Sequence, residues 1–305
     1  MRWFPTMVFG VSVAALTMVW VSPVAATVSG EDGRIAFVSD VSGVDQIYVF
    51  DPDSSSVDRI TAFDDGAADP HRIWSVAWSP DGQSLAFDTY RVGLYVDSSI
   101  STMDADGADL RYVTDGASPS WSPDGRSLAF SKESVGVVNG LDTIVIATVA
   151  LATGEQAVLT DPGAWVHPDR DITTRDFRPV WTPDGKEILF ARYGPGSASY
   201  SNTSLGVVSI ATLTVRGTGT GNQDPVGRSA GRIDTAPSGG TARVSVTDDL
   251  AGEDTGVSVY NMDPAFVGSL PPPDGYESVE ALYSPSGERL IVYRKAAEGG
   301  HEMWT

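Results

Sequence analysis

The 305-residue chain carries 40 acidic against 20 basic side chains, a formal charge of −20, and no cysteine. A surface of that sign repels phosphate backbones, which sets nucleic acid aside as a partner. Without cysteine there is no disulfide framework, thiol chemistry or lipoprotein attachment, so a large apolar core has to carry the stability.

The chain opens with Arg2, an apolar run from about Met7 to Val21, and the small residues Val24-Ala25-Ala26. This pattern predicts a secretory signal peptide over residues 1–26, cut after Ala26. An uncleaved anchor is the alternative, because the run is of marginal length for a membrane span. No later apolar run is long enough to cross a bilayer, so residues 27–305 are expected to form one exported domain, in the periplasm, the cell envelope or outside the cell. Lys132, Lys186 and Lys295 are its only lysines.

One pentapeptide then organises the sequence. It stands at Trp78-Ser79-Pro80-Asp81-Gly82 and Trp121-Ser122-Pro123-Asp124-Gly125, recurs as Trp181-Thr182-Pro183-Asp184-Gly185, and weakens to Tyr283-Ser284-Pro285-Ser286-Gly287. Each copy is followed by an apolar triplet such as Leu85-Ala86-Phe87 or Ile188-Leu189-Phe190. Ser or Thr, then Pro, then Asp-Gly is the chemistry of a tight hairpin turn between two short strands. Asp81, Asp124 and Asp184 are accordingly read as turn formers.

The turn glycines Gly33, Gly82, Gly125, Gly185, Gly240 and Gly287, the first and fifth from degenerate copies, lie 49, 43, 60, 55 and 47 residues apart. Periods of about 40–50 residues filled with strands point to propeller blades. Within one period four strands are expected: Ser118–Trp121, Arg126–Ser131, Asp142–Val149 and Glu155–Leu159. The fold class predicted is all-β, a six-bladed β-propeller of four-stranded blades. Glu302-Met303-Trp304-Thr305 reads as the middle of the third strand of blade six, so either the chain is truncated, or that blade stays short, or another chain fills its edge, since an unpaired edge is otherwise a liability.

The run from Thr102 to Thr114, followed by Pro119-Ser120-Trp121-Ser122-Pro123-Asp124-Gly125, resembles the TolB-like, WD40-like β-propeller repeat. The resemblance covers nearly all of residues 27–305, strongly for three copies and weakly for the others. It implies the propeller fold. Its functional content is smaller, since such blades occur in TolB, in prolyl-oligopeptidase-like enzymes and in exported proteins without chemistry. TolB carries an α/β domain before its propeller, and here the first blade begins within about ten residues of the expected cleavage site.

In a propeller the connections between first and second and between third and fourth strands share one face, and here they are short. The others are expected to be long and irregular: Asp64 to Trp74, Tyr90 to Ser98, Pro162 to Phe177, Tyr193 to Ser204, and Gly217 to Asp234. Length variation on one face of a rigid scaffold marks a binding face. The candidate binding residues on it are His71, Arg72, Trp74, Trp165, His167, Asp169, Asp171, Arg175 and Arg178, a mixture of aromatic, imidazole and both charge signs that suits recognition.

Three chemical readings are weaker. His71, His167 and His301 fall on the same expected face, as a histidine cluster does in metal-dependent propeller lyases, yet no His-x-His or His-Glu-x-x-His spacing supports a metal site. Asp104-x-Asp106-Gly107-x-Asp109 lacks the downstream Glu of a calcium loop and reads as a hairpin turn. Gly227-Arg228-Ser229-Ala230-Gly231 fits Gly-x-Ser-x-Gly by letter but lacks the strand-turn-helix setting of a nucleophile elbow. The sequence reading is therefore an exported, non-catalytic scaffold for protein–protein interaction, with no cofactor or metal. The alternatives are a metal-dependent carbohydrate lyase or hydrolase and a propeller fragment of a prolyl-oligopeptidase-like protein.

Overall fold

The structure is a computed structural model that describes residues 33–63, 72–90, 98–138, 141–161, 174–193, 203–217, 230–235, 241–246, 257–261, 266–270, 276–283, 290–296 and 301–304. Every regular element among them is a β-strand. None of the described residues forms a helix long and apolar enough to cross a membrane.

The strands run up and down in consecutive antiparallel units. The first unit holds β1 (Ile35–Ser39), β2 (Gln46–Asp51) and β3 (Ser56–Arg59), and the second holds β4 (Arg72–Trp78), β5 (Ser84–Tyr90), β6 (Ser99–Asp104) and β7 (Arg111–Asp115). The third is β8 (Ala117–Trp121), β9 (Ser127–Val138), β10 (Leu141–Ala150) and β11 (Gln156–Val158), and the fourth is β12 (Arg175–Trp181), β13 (Glu187–Tyr193), β14 (Thr203–Ser209) and β15 (Val215–Gly217). A single parallel bridge, Ile144 to Arg175, joins these two units. Then come β16 (Ala230–Thr235), β17 (Thr241–Val246), β18 (Val257–Asn261) and β19 (Phe266–Leu270), followed by β20 (Tyr276–Tyr283), β21 (Leu290–Ala296) and β22 (His301–Trp304). The first strands lie side by side in series, β4 against β8, β8 against β12, β12 against β16 and β16 against β20. That is the inner ring of a propeller, with each sheet running outward from it.

The core sits between the sheets. Leu85 and Phe87 pack toward the first unit, against Ala36, Val38, Ile47 and Val49, whereas Ala77 and Ala86 face the third unit and meet Trp121, Leu128 and Phe130. The step repeats one unit on, where Ala129 meets Trp181, Ile188 and Phe190. Side chains alternate across a strand, so a Leu-Ala-Phe triplet presents two large groups to one neighbour and a small one to the other. The alanine leaves room for the next unit's tryptophan, and Trp121 Nε1 donates to the Ala77 carbonyl at 3.1 Å. Both faces are buried, which is why these strands read as unbroken apolar runs.

The repeated turn is closed by its own side chains. Ser122 Oγ donates to Asp124 Oδ1 (2.6 Å) and accepts from the Ser127 N–H (3.0 Å), while Asp124 Oδ1 accepts from the Arg126 N–H (3.1 Å). The same set recurs around Ser79 and Asp81 and around Thr182 and Asp184. Gly82, Gly125 and Gly185 take φ of 66°, 69° and 69°, the left-handed region in which a side chain is strained. The hydroxyl bond first, and the backbone N–H beyond it, hold Asp81 and Asp124 below the ordinary carboxylate range; Asp184 is lowered likewise, led by Thr182.

A second repeat had no counterpart in the sequence reading. Thr61, Thr114 and Thr160, each after an aliphatic residue at or just past the end of an outer strand, are buried. Thr61 Oγ1 accepts from the Ile47 N–H (2.8 Å) and Thr160 Oγ1 from the Ile146 N–H (2.9 Å), extending the outer ladder by one bond. The observed strands also correct expected loop bounds: Arg72 and Trp74 belong to β4, Arg175, Asp176 and Arg178 to β12, and Asp234 to β16.

Ser122→Ala, which removes the acceptor of the partly buried Ser127 amide and one of the donors to Asp124, is expected to cost about 1 kcal/mol in urea unfolding. Because Asp124 titrates lower in the fold than in the unfolded chain, its contribution is present above the unfolded value and is lost as pH falls through the folded one. The stability gap between wild type and Asp124→Asn should therefore shrink as the pH drops below about 4; an unchanged or widening gap in denaturation midpoints would contradict this.

Candidate functional site

The first strands of the inner ring bulge near their starts, where the ladder register shifts: between Ile73 and Val76 in β4, Ala117 and Ser120 in β8, and Phe177 and Val180 in β12. The shift recurs in β16 and β20. A bulge unpairs backbone amides and re-aims the chain. Ser118 and Arg178, both followed by proline, sit at φ of 56° in these bulges.

Side chains of the second strands receive the freed amides. Asp88, on β5 directly after the apolar triplet, accepts the N–H groups of Trp74 (3.1 Å) and Ser75 (2.7 Å) on Oδ1 and that of Ser118 (2.7 Å) on Oδ2. It is 1% exposed and ties its own first strand to the next unit's. Burial pushes its carboxyl above the ordinary range, while the N–H of Ser118, Ser75 and Trp74 pull the other way. Ser131 stands at the matching position of β9, and its Oγ accepts from the Arg178 N–H at 3.0 Å. Neither clasp was foreseen from sequence. An acid following Leu-Ala-Phe was the available signal.

Above the clasps lies the rim where the first strands begin. Trp74, 39% exposed, meets Tyr90 edge to face with ring centroids 5.8 Å apart. The Arg178 guanidinium lies over the Trp74 ring, 5.9 Å from its centroid. The two come from units two and four, so they meet past the intervening β8. Arg72 Nε lies 3.3 Å from Asp45 Oδ2, which also accepts the Ile73 N–H at 3.0 Å; burial raises the Asp45 carboxyl.

Arg175 opens β12, and beside it Asp176 is fully buried. Asp176 takes both bonds of the Arg192 guanidinium, at 2.6 and 2.7 Å. Burial raises the Asp176 carboxyl in spite of that partner, and the bond to Asp176 raises Arg192 in turn. Asp176 was expected on a recognition loop; pairing inside the fourth unit makes it structural. Arg72, Trp74, Arg175 and Arg178 thus share one rim, and of these Trp74 and Arg178 touch. His71, Trp165, His167, Asp169 and Asp171 lie outside the described residues, as does most of the Gly-x-Ser-x-Gly match; His301 is placed only by the backbone of β22, opposite Lys295. Among the described residues no three His, Asp or Glu side chains converge as metal ligands.

No protein-family model matches the chain, and no curated protein matches it in sequence. Solved structures do match. TolB from Acinetobacter baumannii is 19% identical with a TM-score of 0.59 over 89% of this chain, which spans 63% of that protein's length. A TolB-assigned protein from Agrobacterium tumefaciens is 18% identical with a TM-score of 0.59, over 93% of this chain and 91% of that one. An oligogalacturonate lyase from Vibrio parahaemolyticus is 12% identical with a TM-score of 0.56, over 95% and 91%. At these identities the likeness establishes the TolB-like β-propeller fold and not its chemistry.

Replacing Asp88 by Asn turns an amide group toward one or more of its three N–H donors, two of them buried. Asp88→Asn is expected to lose about 1–3 kcal/mol in urea unfolding. A variant as stable as wild type would show that the clasp does not join the second and third units.

Proposed function

We propose that this chain, a TolB-like β-propeller, is an exported non-catalytic scaffold that holds another exported protein on the rim where its first strands begin. Residues 1–26 are its signal peptide, and the periplasm, envelope or extracellular space is where it acts. The observation that carries this reading is the meeting of Trp74 and Arg178. The matching residues in the third unit are Ala117 and Ser118, and the bulge uses the backbone amide of Ser118 and of Arg178 alike. The fold therefore does not require a tryptophan and an arginine there. Large aromatic and arginine side chains at a partly exposed rim are the groups that dominate protein interfaces. Support also comes from the TolB neighbours, and the acidic surface disfavours nucleic acid.

The lyase neighbour makes a metalloenzyme the competing reading, and His71, His167 and His301 are the residues it would need. The mature protein immobilised on beads and exposed to the envelope and secreted fractions is expected to retain a partner that the double variant Trp74→Ala, Arg178→Ala loses and that Arg126→Gln, in a turn on the other face, keeps. Equal loss in both variants would place the partner elsewhere. Stoichiometric bound metal that disappears in both His71→Ala and His167→Ala would replace the scaffold by an enzyme.

A further inference from the structure

Trp74 stays within reach of solvent at the rim, 39% exposed, and the chain itself shows what its ring accepts. The Arg178 guanidinium lies over it, 5.9 Å from the ring centroid, while Tyr90 meets it edge to face. A cation over a tryptophan face is drawn by the ring quadrupole, and the contact reaches out to about 6 Å. Arg178 stands at the outer limit of that range, so its side chain holds the ring loosely.

What fixes Arg178 is its backbone. The residue sits at φ of 56° in the bulge of β12, and its N–H is held by Ser131 Oγ at 3.0 Å. Its side chain can therefore leave the ring without unpairing the bulge. Ser118, the matching residue of the third unit, keeps the same φ with no guanidinium at all.

Charge decides what would replace it. The chain carries −20, and the connections leading into β4 and β12, residues 64–71 and 162–174, contain Asp64, Asp65, Asp69, Asp169 and Asp171 against one arginine, Arg170. Of the arginines on β4 and β13, Arg72 is closed against Asp45 and Arg192 against Asp176. A field of that sign draws basic segments toward the chain and orients them.

We propose that the Trp74 ring is a subsite for an arginine from a basic segment of the partner protein, and that Arg178 is its internal stand-in, displaced when the partner docks. The inference rests on the scaffold reading of this rim. A cation is favoured over an apolar or sugar ring because the group seated on Trp74 is itself a cation and the net charge steers cations to it.

The test uses the full mature chain at low salt with the peptide acetyl-Gly-Arg-Arg-Gly-amide and its citrulline counterpart, which keeps the shape and loses the charge. Affinity is read by calorimetry, and the place of binding by the indole Nε1–Hε1 resonance of Trp74, identified by its loss in Trp74→Phe. The Arg peptide is expected to shift that resonance saturably. Binding should weaken about fivefold or more for the citrulline peptide and in Trp74→Ala, and stay unchanged in Arg126→Gln. In Arg178→Gln, with the stand-in removed, the Arg peptide should bind about threefold tighter or more, a gain that a misfolded variant does not imitate. No saturable shift at millimolar peptide, equal binding of the citrulline peptide, or no gain in Arg178→Gln overturns the subsite, as does an equal gain in Arg126→Gln. A partner lost with Trp74→Ala while the Arg peptide fails to bind removes the basic ligand and leaves the scaffold standing; Arg peptide binding with no partner on the rim does the reverse.

Discussion

The constraint on which this propeller depends is that the inner strands β4, β8 and β12 bulge without leaving the freed amides unpaired. Bulging turns the start of the strand toward the rim, and it frees N–H groups that no ladder partner can reach. The chain meets this with side chains from the second strands, Asp88 for three amides and Ser131 for one. Both reach into the following unit, so the bonds that satisfy a local defect also set how neighbouring sheets sit together. Apolar packing is non-directional. These hydrogen bonds supply the direction.

The same arrangement separates backbone duty from side-chain freedom at the rim. At the bulge position the fold uses an amide and tolerates Ser75, Ser118 or Arg178. Where a side chain is not needed for folding, its identity can serve contact, and Arg178 over Trp74 is that case. Asp176 with Arg192 and Asp45 with Arg72, by contrast, are closed pairs that keep their desolvation offset internally. A repeat protein carries its own internal comparison: a departure from the common pattern at one unit is visible against the others.

Much was legible in the sequence because it is local. Ser or Thr, Pro, Asp and Gly close a turn within six residues, and the bonds from Ser122, Asp124 and their equivalents never leave it. The Leu-Ala-Phe triplets marked a short strand after each turn, and the spacing of the turn glycines pointed to propeller blades. Arg72, Trp74, Arg175 and Arg178 were named as rim residues, but as loop residues. Arg175-Asp176-Phe177-Arg178-Pro179 does not look like a strand, since proline and charge are poor fits to a central ladder; an inner strand with a bulge accommodates both, and Asp176 becomes tolerable only beside Arg192, sixteen residues away.

By itself, then, the sequence determined turn chemistry, strand periodicity, charge and the repeat, all set by contacts a few residues apart. Tertiary structure alone decided what the lone acids and arginines do. Asp88 receives amides from 13, 14 and 30 residues away, and Trp74 meets Arg178 across an intervening unit. No local pattern encodes such partners, because their distance is fixed by how the sheets are stacked around the axis and not by spacing along the chain.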